Sequence, residues 1–231
     1  MLVLEEIYRT KKNEFSTAFN LRMQRSLSWW KKAIEFHNDI DMQFMTAWVA
    51  LSALYAQSQT AEHTQQQTLQ QFVQRMYQKD VDQRMARIIW DKYPQSLEVL
   101  LTNPYLYQSF WDWRNQKNTE AEWRADYEAE KQQIMQALHI HDSATILACL
   151  FKRLLALKQQ LLQGGATYNS AINRKQLSHA NTFYNSAINR KQLSHANTLL
   201  CALMPCFIQI LLENLENVEW SKPFYPVMQM S

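Results

Sequence analysis

Glycine is almost missing from this sequence: among 231 residues there are two, Gly164 and Gly165, side by side. A β-rich chain of this length needs many tight turns, and those turns lean on glycine, so a sheet architecture is excluded. Proline is also scarce, with five residues, which leaves long stretches free of helix breakers. Three cysteines, Cys149, Cys201 and Cys206, give an odd count without paired spacing, which argues against a disulfide framework. Cys149 and Cys201 stand in apolar helical stretches and read as buried, reduced thiols. No apolar leader opens the chain, because Glu5, Glu6 and Arg9 interrupt its first apolar residues. The longest apolar run, Leu199 to Leu212, is short for a bilayer and contains Pro205 and Gln209. The expectation is therefore a cytoplasmic chain with no membrane contact. No run of one charge sign stands out either. The net charge of +3 and isoelectric point near 8.7 permit a nucleic-acid partner without requiring one. Phosphate-binding loops, dinucleotide fingerprints and nucleophile elbows are all missing, so no cofactor is expected.

What the sequence does contain is helix. Gln, Leu, Ala, Glu and Lys are abundant and favour it, and an apolar share of 47% is ample for a packed core. Phe15, Phe19, Met23, Leu27, Trp30 and Ile34 follow steps of three and four and predict one helix face. Asn38, Asp39 and Asp41 mark a break and a cap for a second helix carrying Phe44, Trp48, Leu51 and Tyr55. Gln57 to Gln70 reads as the start of a loop, followed by helices around Phe72 to Met76, Met85 to Pro94, and Leu97 to Leu101. The aromatic stretch from Tyr105 to Trp113 is expected to pack on the core. Trp123, Tyr127, Ile134 and Leu138 predict an amphipathic helix. Leu147, Leu150, Leu154, Leu157 and Leu161 then predict a long one, capped by Asp142 and ended by the double glycine. A last helix covers Leu199 to about Leu215, before an extended tail from Trp220 to Met228. Short links between such helices give an all-α antiparallel bundle, expected as a single domain over residues 1–231.

One segment is duplicated. Residues Tyr168 to Thr182 and Tyr184 to Thr198 are identical, with a period of 16. Two copies do not make a solenoid. On one continuous helix, sixteen residues turn the chain about 4.4 times, so the copies would face nearly opposite sides. Only one copy can dock in a given place. Loop closure grows costly only slowly with length, so the other is tolerated as an insertion.

Few residues suggest chemistry. Each copy holds Arg-x-x-x-x-His: Arg174 with His179, and Arg190 with His195. A histidine can take a proton from a ribose hydroxyl, and an arginine can steady the charged phosphorane. A spacing of five sets the two side chains about 140° apart on a helix, so solvated polar residues are the simpler account. His139 and His141 could be half of a metal site but lack a third ligand. Asp39 and Asp41 beside His37 are more simply caps. Trp29, Trp30, Trp48, Trp90, Trp111 and Trp113 could stack bases, yet at helical spacing they read as core.

Three stretches together resemble the prokaryotic HEPN-domain proteins, a helical family that includes RNA-cleaving toxins and phage-defence nucleases. They are Leu21 to Tyr55, Leu100 to Trp113, and Arg153 onward through the double glycine to Trp220–Val227. In that family a long helix ends in an arginine, a polar residue, several others, then a histidine. Here Lys158 stands for the arginine, Gln159 for the polar residue and Gln163 for the histidine. Lysine lacks the planar fork of arginine. Glutamine cannot exchange a proton near neutral pH as histidine does. The resemblance thus implies a HEPN-like bundle whose metal-independent nuclease site has degenerated. It also implies a homodimer meeting near these residues, and a binding role in defence or with RNA or a protein partner. The alternatives are an active endoribonuclease using Arg174 and His179 or Arg190 and His195, and a family member decayed past function.

Overall fold

The computed structural model describes residues 2–56, 64–165, 168, 190–214 and 225. Ten α-helices account for most of them, and no strand occurs among the described residues. In chain order they are α1 (Leu2–Lys11), α2 (Thr17–Glu35), α3 (Ile40–Tyr55), α4 (Gln65–Lys79), α5 (Arg84–Arg87), α6 (Pro94–Leu101), α7 (Gln108–Arg114), α8 (Glu120–His139), α9 (Ser143–Leu162) and α10 (Arg190–Glu213).

The helix starts follow from local side-chain chemistry. Ser16 Oγ accepts from the Phe19 amide at 3.2 Å, and Asp39 Oδ1 accepts from the Met42 amide at 3.1 Å. Asp142 Oδ1 takes both the Ala144 and Thr145 amides, at 3.1 and 3.2 Å. Thr64 with Gln67 and Thr119 with Glu122 form reciprocal capping boxes. The Thr64 box corrects one expectation: Gln65 to Gln70 is helix, not loop, because its polar residues face outward while Thr68 and Leu69 are buried. At the other end of α9, Gly164 takes φ +74°. Its amide donates to Leu161 and the Gly165 amide to Gln160, at 3.2 and 2.8 Å. That is the double-bonded glycine stop, whose left-handed residue L side chains disfavour.

α2 and α3 form an antiparallel hairpin on which α10 lies, itself flanked by α6 and α1; α9 packs against α4, α8 and α6. The buried apolar residues of these helices form one cluster. Phe207 of α10 sits at its centre, its ring 5.4 Å from Phe72 of α4 and 5.7 Å from Phe151 of α9. The predicted faces hold, with two slips of phase. Ile34 is 40% exposed while Ala33 is buried, and Leu138 is exposed while Ala137 is buried. Steps of four advance about 400° and overshoot a full turn, so a stripe extended mainly by fours drifts off the core. Residues 84–92 also differ from expectation: one α-turn widens into a π-turn over Ile88–Lys92, closed by the Tyr93 amide on the Ile88 carbonyl at 3.0 Å. In the aromatic stretch only Leu106 and Tyr107 are buried. The α7 rings gather instead with Trp123 of α8, where Trp113 stacks on Trp123 at 5.6 Å.

α10 begins nine residues before the expected Leu199, inside the second repeat copy. Leu193 and Ala196 join the core, and Asn197 Nδ2 donates to Gln43 of α3 at 2.6 Å. The second copy is thus a docked one; the first, from Asn169 to Thr182, lies outside the described residues, as does the expected tail except Tyr225. The longer helix also revises the membrane argument. Lys191–Glu213 is long and apolar enough to cross a bilayer by length and composition, yet 61% of its most apolar window is buried against the other helices. Cys149 is buried as expected, while Cys201 is half-buried. Deleting residues 168–183 puts Tyr184 directly after Thr167 and keeps α10 whole. The shortened chain is expected to melt within about 2 °C of the full chain, as surface changes generally do; a much larger drop in a thermal melt would give the first copy a structural role.

Candidate functional site

The longest solvent-facing strip of α9 is the floor of a cleft. Positions 152, 156, 159 and 163 recur at steps of three and four, and the walls come from the start of α4, the start of α7 and the middle of α8. The cleft measures about 800 Å³. Six of its lining residues are glutamines, and the amides of Gln66, Gln133, Gln159 and Gln163 carry no hydrogen bond among the described residues. Each amide offers donors and an acceptor, so the cleft is rich in unengaged, uncharged hydrogen-bonding groups.

At its back lies a buried charge cluster. Arg153 is 2% exposed; its Nη2 is 3.0 Å from Glu130 Oε2 of α8, and Lys152 Nζ is 3.3 Å from Oε1. The guanidinium lies 3.3 Å above the Tyr107 ring, and its Nε has no hydrogen-bond partner. Burial pushes the Glu130 carboxyl up, but the charges of Arg153 and Lys152 outweigh it and hold the group below its ordinary value. Burial pushes the Tyr107 phenol up to about 12. Both groups are therefore locked in one protonation state around neutral pH, the carboxylate charged and the phenol neutral.

The three positions of the degenerate signature divide. Gln159 and Gln163, four apart, both line the cleft. Lys158 is about 100° round the helix and only 7% exposed. Its Nζ donates to Gln65 Oε1 at 3.2 Å and lies 5.9 Å above the Trp48 ring. No carboxylate pairs with it among the described residues, and burial lowers its pKa. A phosphate in the cleft would not meet this ammonium.

The repeat pairs do not assemble either. Arg174 and His179 lie outside the described residues, and so does the Arg190 side chain. His195 is turned toward α6, its Nδ1 2.9 Å from Ser96 Oγ and its Nε2 buried without a partner. Burial, then the Lys191 charge, lowers its pKa. A histidine whose folded pKa lies below its unfolded value contributes full stability above pH 6.5 and loses it as the pH falls below that value. Changing His195 to Gln is expected to flatten the fall of Tm between pH 7 and 5; an identical slope in both proteins would mean that His195 does not contribute to it.

The remaining sequence candidates have structural roles. The His141 ring packs on Trp90 at 4.9 Å, and Asp39 caps α3. No group of three metal-ligating side chains occurs among the described residues. Sequence reasoning passed over Arg153 and Glu130. Their signal was present: each is a charge inside the buried stripe of its helix, and the two signs are opposite. Compared with protein-family models, curated proteins and solved structures, the chain matches none.

Proposed function

We propose that this chain is a non-catalytic, HEPN-like binding module that engages its partner through the glutamine-lined cleft. The observation that carries this reading is the convergence of unengaged amides from three helices on one cleft, two of them at signature positions, with the neighbouring titratable groups held away from neutrality. Acid–base catalysis works best with a group poised near the working pH, and the buried carboxylate and phenol at the back of this cleft are not so poised. Glutamine at position 163 binds by hydrogen bonds and does not exchange protons.

A reading as an RNA-associated protein has one observation in its favour. Seven basic residues and one acidic residue fall between positions 143 and 213, whereas the first 142 residues hold sixteen basic and eighteen acidic. RNA affinity resting on these charges would fall steeply with salt.

The test is RNA cleavage without added metal by the full chain, beside a Lys158→Arg/Gln163→His variant and a His179→Ala/His195→Ala variant. The unaltered chain is expected to leave RNA intact. Activity gained in the first variant would show a nuclease scaffold that has lost its catalytic pair. Cleavage by the unaltered chain that disappears in the second variant would overturn the proposal and place an active site in the repeat.

A further inference from the structure

The cleft does not stop at Lys152. A second hollow of about 320 Å³ continues it toward the start of α9 and shares Gln133 and Lys152 with it. Lys152, tied to Glu130, forms the sill between them. Together they make a trough floored by α9 from Thr145 to Gln163, with α4 and α8 as walls. Eighteen residues of helix give that floor a length of about 27 Å. The two ends differ in chemistry. The second hollow is lined by Val73, Leu147, Ala148 and Cys149 beside Tyr77, whereas the first presents the free amides of Gln66, Gln133, Gln159 and Gln163.

We infer that this trough takes an extended, uncharged segment of a partner protein, about eight residues long, with an aliphatic side chain seated over Ala148 and Cys149. The inference rests on the reading of this face as the binding face and adds its occupant. An extended chain advances about 3.3 Å per residue, so about eight residues fill the floor. A peptide backbone presents alternating donors and acceptors, and glutamine amides answer both. Charge decides against a nucleic-acid strand. The trough holds Asp126 and Glu130 along with Lys117, Lys152 and Arg153, and Glu130 already takes up both Lys152 and Arg153. A phosphodiester chain laid here would run against the two carboxylates, while its aliphatic end would stay empty. An uncharged segment meets neither obstacle.

The experiment selects peptides from a random octapeptide display library on the full chain and measures the enriched peptides, synthesised singly, by fluorescence anisotropy. Single-stranded oligo(U) is the comparison ligand. Two variants report on the site: Ala148→Trp, which fills the aliphatic end, and Gln133→Ala/Gln159→Ala, which removes two amides from half-exposed or exposed positions. Circular dichroism and a thermal melt establish that each is folded. Enriched peptides with a shared aliphatic position are expected, with affinity reduced at least tenfold in either folded variant and little changed between 50 and 300 mM salt. No enriched peptide, or peptides that bind both variants as tightly as the unaltered chain, would overturn the inference. Oligo(U) binding abolished by the same variants would also overturn it while leaving the cleft as the binding face. Ligands of both kinds unaffected by the variants would remove the binding face itself.

Discussion

Changing Arg153 to alanine is expected to destabilise the fold by about 3 kcal/mol at neutral pH, because breaking a buried ion pair leaves an uncompensated charge. Arg153 is almost wholly enclosed, and Glu130, with 17% of its side chain exposed, would keep only Lys152. The contact with the Tyr107 face would go too, since an arginine packs through its flat surface as well as its charge. The loss should depend on pH in a defined direction. In the intact protein Glu130 is held below its ordinary pKa, so it contributes stability above that value and loses it as the pH falls through the lowered one. Without Arg153, desolvation raises the same group, and protonation then relieves the buried charge. The difference between variant and parent should therefore shrink from pH 7 to pH 4. A double change, Arg153→Met with Glu130→Gln, removes both charges and should recover most of the loss. Urea midpoints at unchanged slope read all three; a loss below about 0.5 kcal/mol, the range of ordinary surface substitutions, would mean that water reaches the cluster.

The second large effect has the opposite sign. Lys158→Met is expected to stabilise the fold by about 1–3 kcal/mol, the range seen when buried charges give way to apolar side chains of similar size. One amide and the distant face of an indole are all that Lys158 has for company. Burial lowers its pKa, so the native state of the parent resists protonation. The parent accordingly gains stability as the pH rises from the lowered value toward the ordinary one near 10.5, and the advantage of methionine should narrow over that interval. Matching denaturation midpoints across the range would show that Gln65 and Trp48 offset the desolvation. A more stable methionine variant that has also lost its partner would make Lys158 a residue kept at the expense of stability.

Much of the architecture was legible before any coordinates. The near-absence of glycine excluded sheets, and Asp39, Asp142 and the double glycine marked ends that the chain uses. Failures of phase at Ile34 and Leu138 came from stepping by fours along a helix that repeats every 3.6 residues. The start of α4 was misread because a glutamine-rich surface looks like a loop until its buried strip is separated from its wet one. The site was less legible, for a different reason. Amides at positions 66, 133, 159 and 163 gain meaning from convergence, and nothing in their separate stretches of sequence announces that they share a cleft. Lys158 and Gln159 show the same limit at shorter range: adjacent in the chain, they open on different surroundings.

The glycine stop after α9 also bears on how such a chain can change length. Gly164 supplies a left-handed turn, and a Cβ on Gly165 would come within 2.9 Å of the Gln160 carbonyl oxygen. The helix is thus ended by its own backbone, whatever follows. α10 in turn is fixed by what it packs on. Sixteen residues copied between two elements anchored in this way alter neither one's rotation nor its register. The same copying error inside α9 would have swung every later residue of that helix to another face. A stop written into the backbone divides the molecule into a part where length matters and a part where it can drift, and the duplication fell in the second.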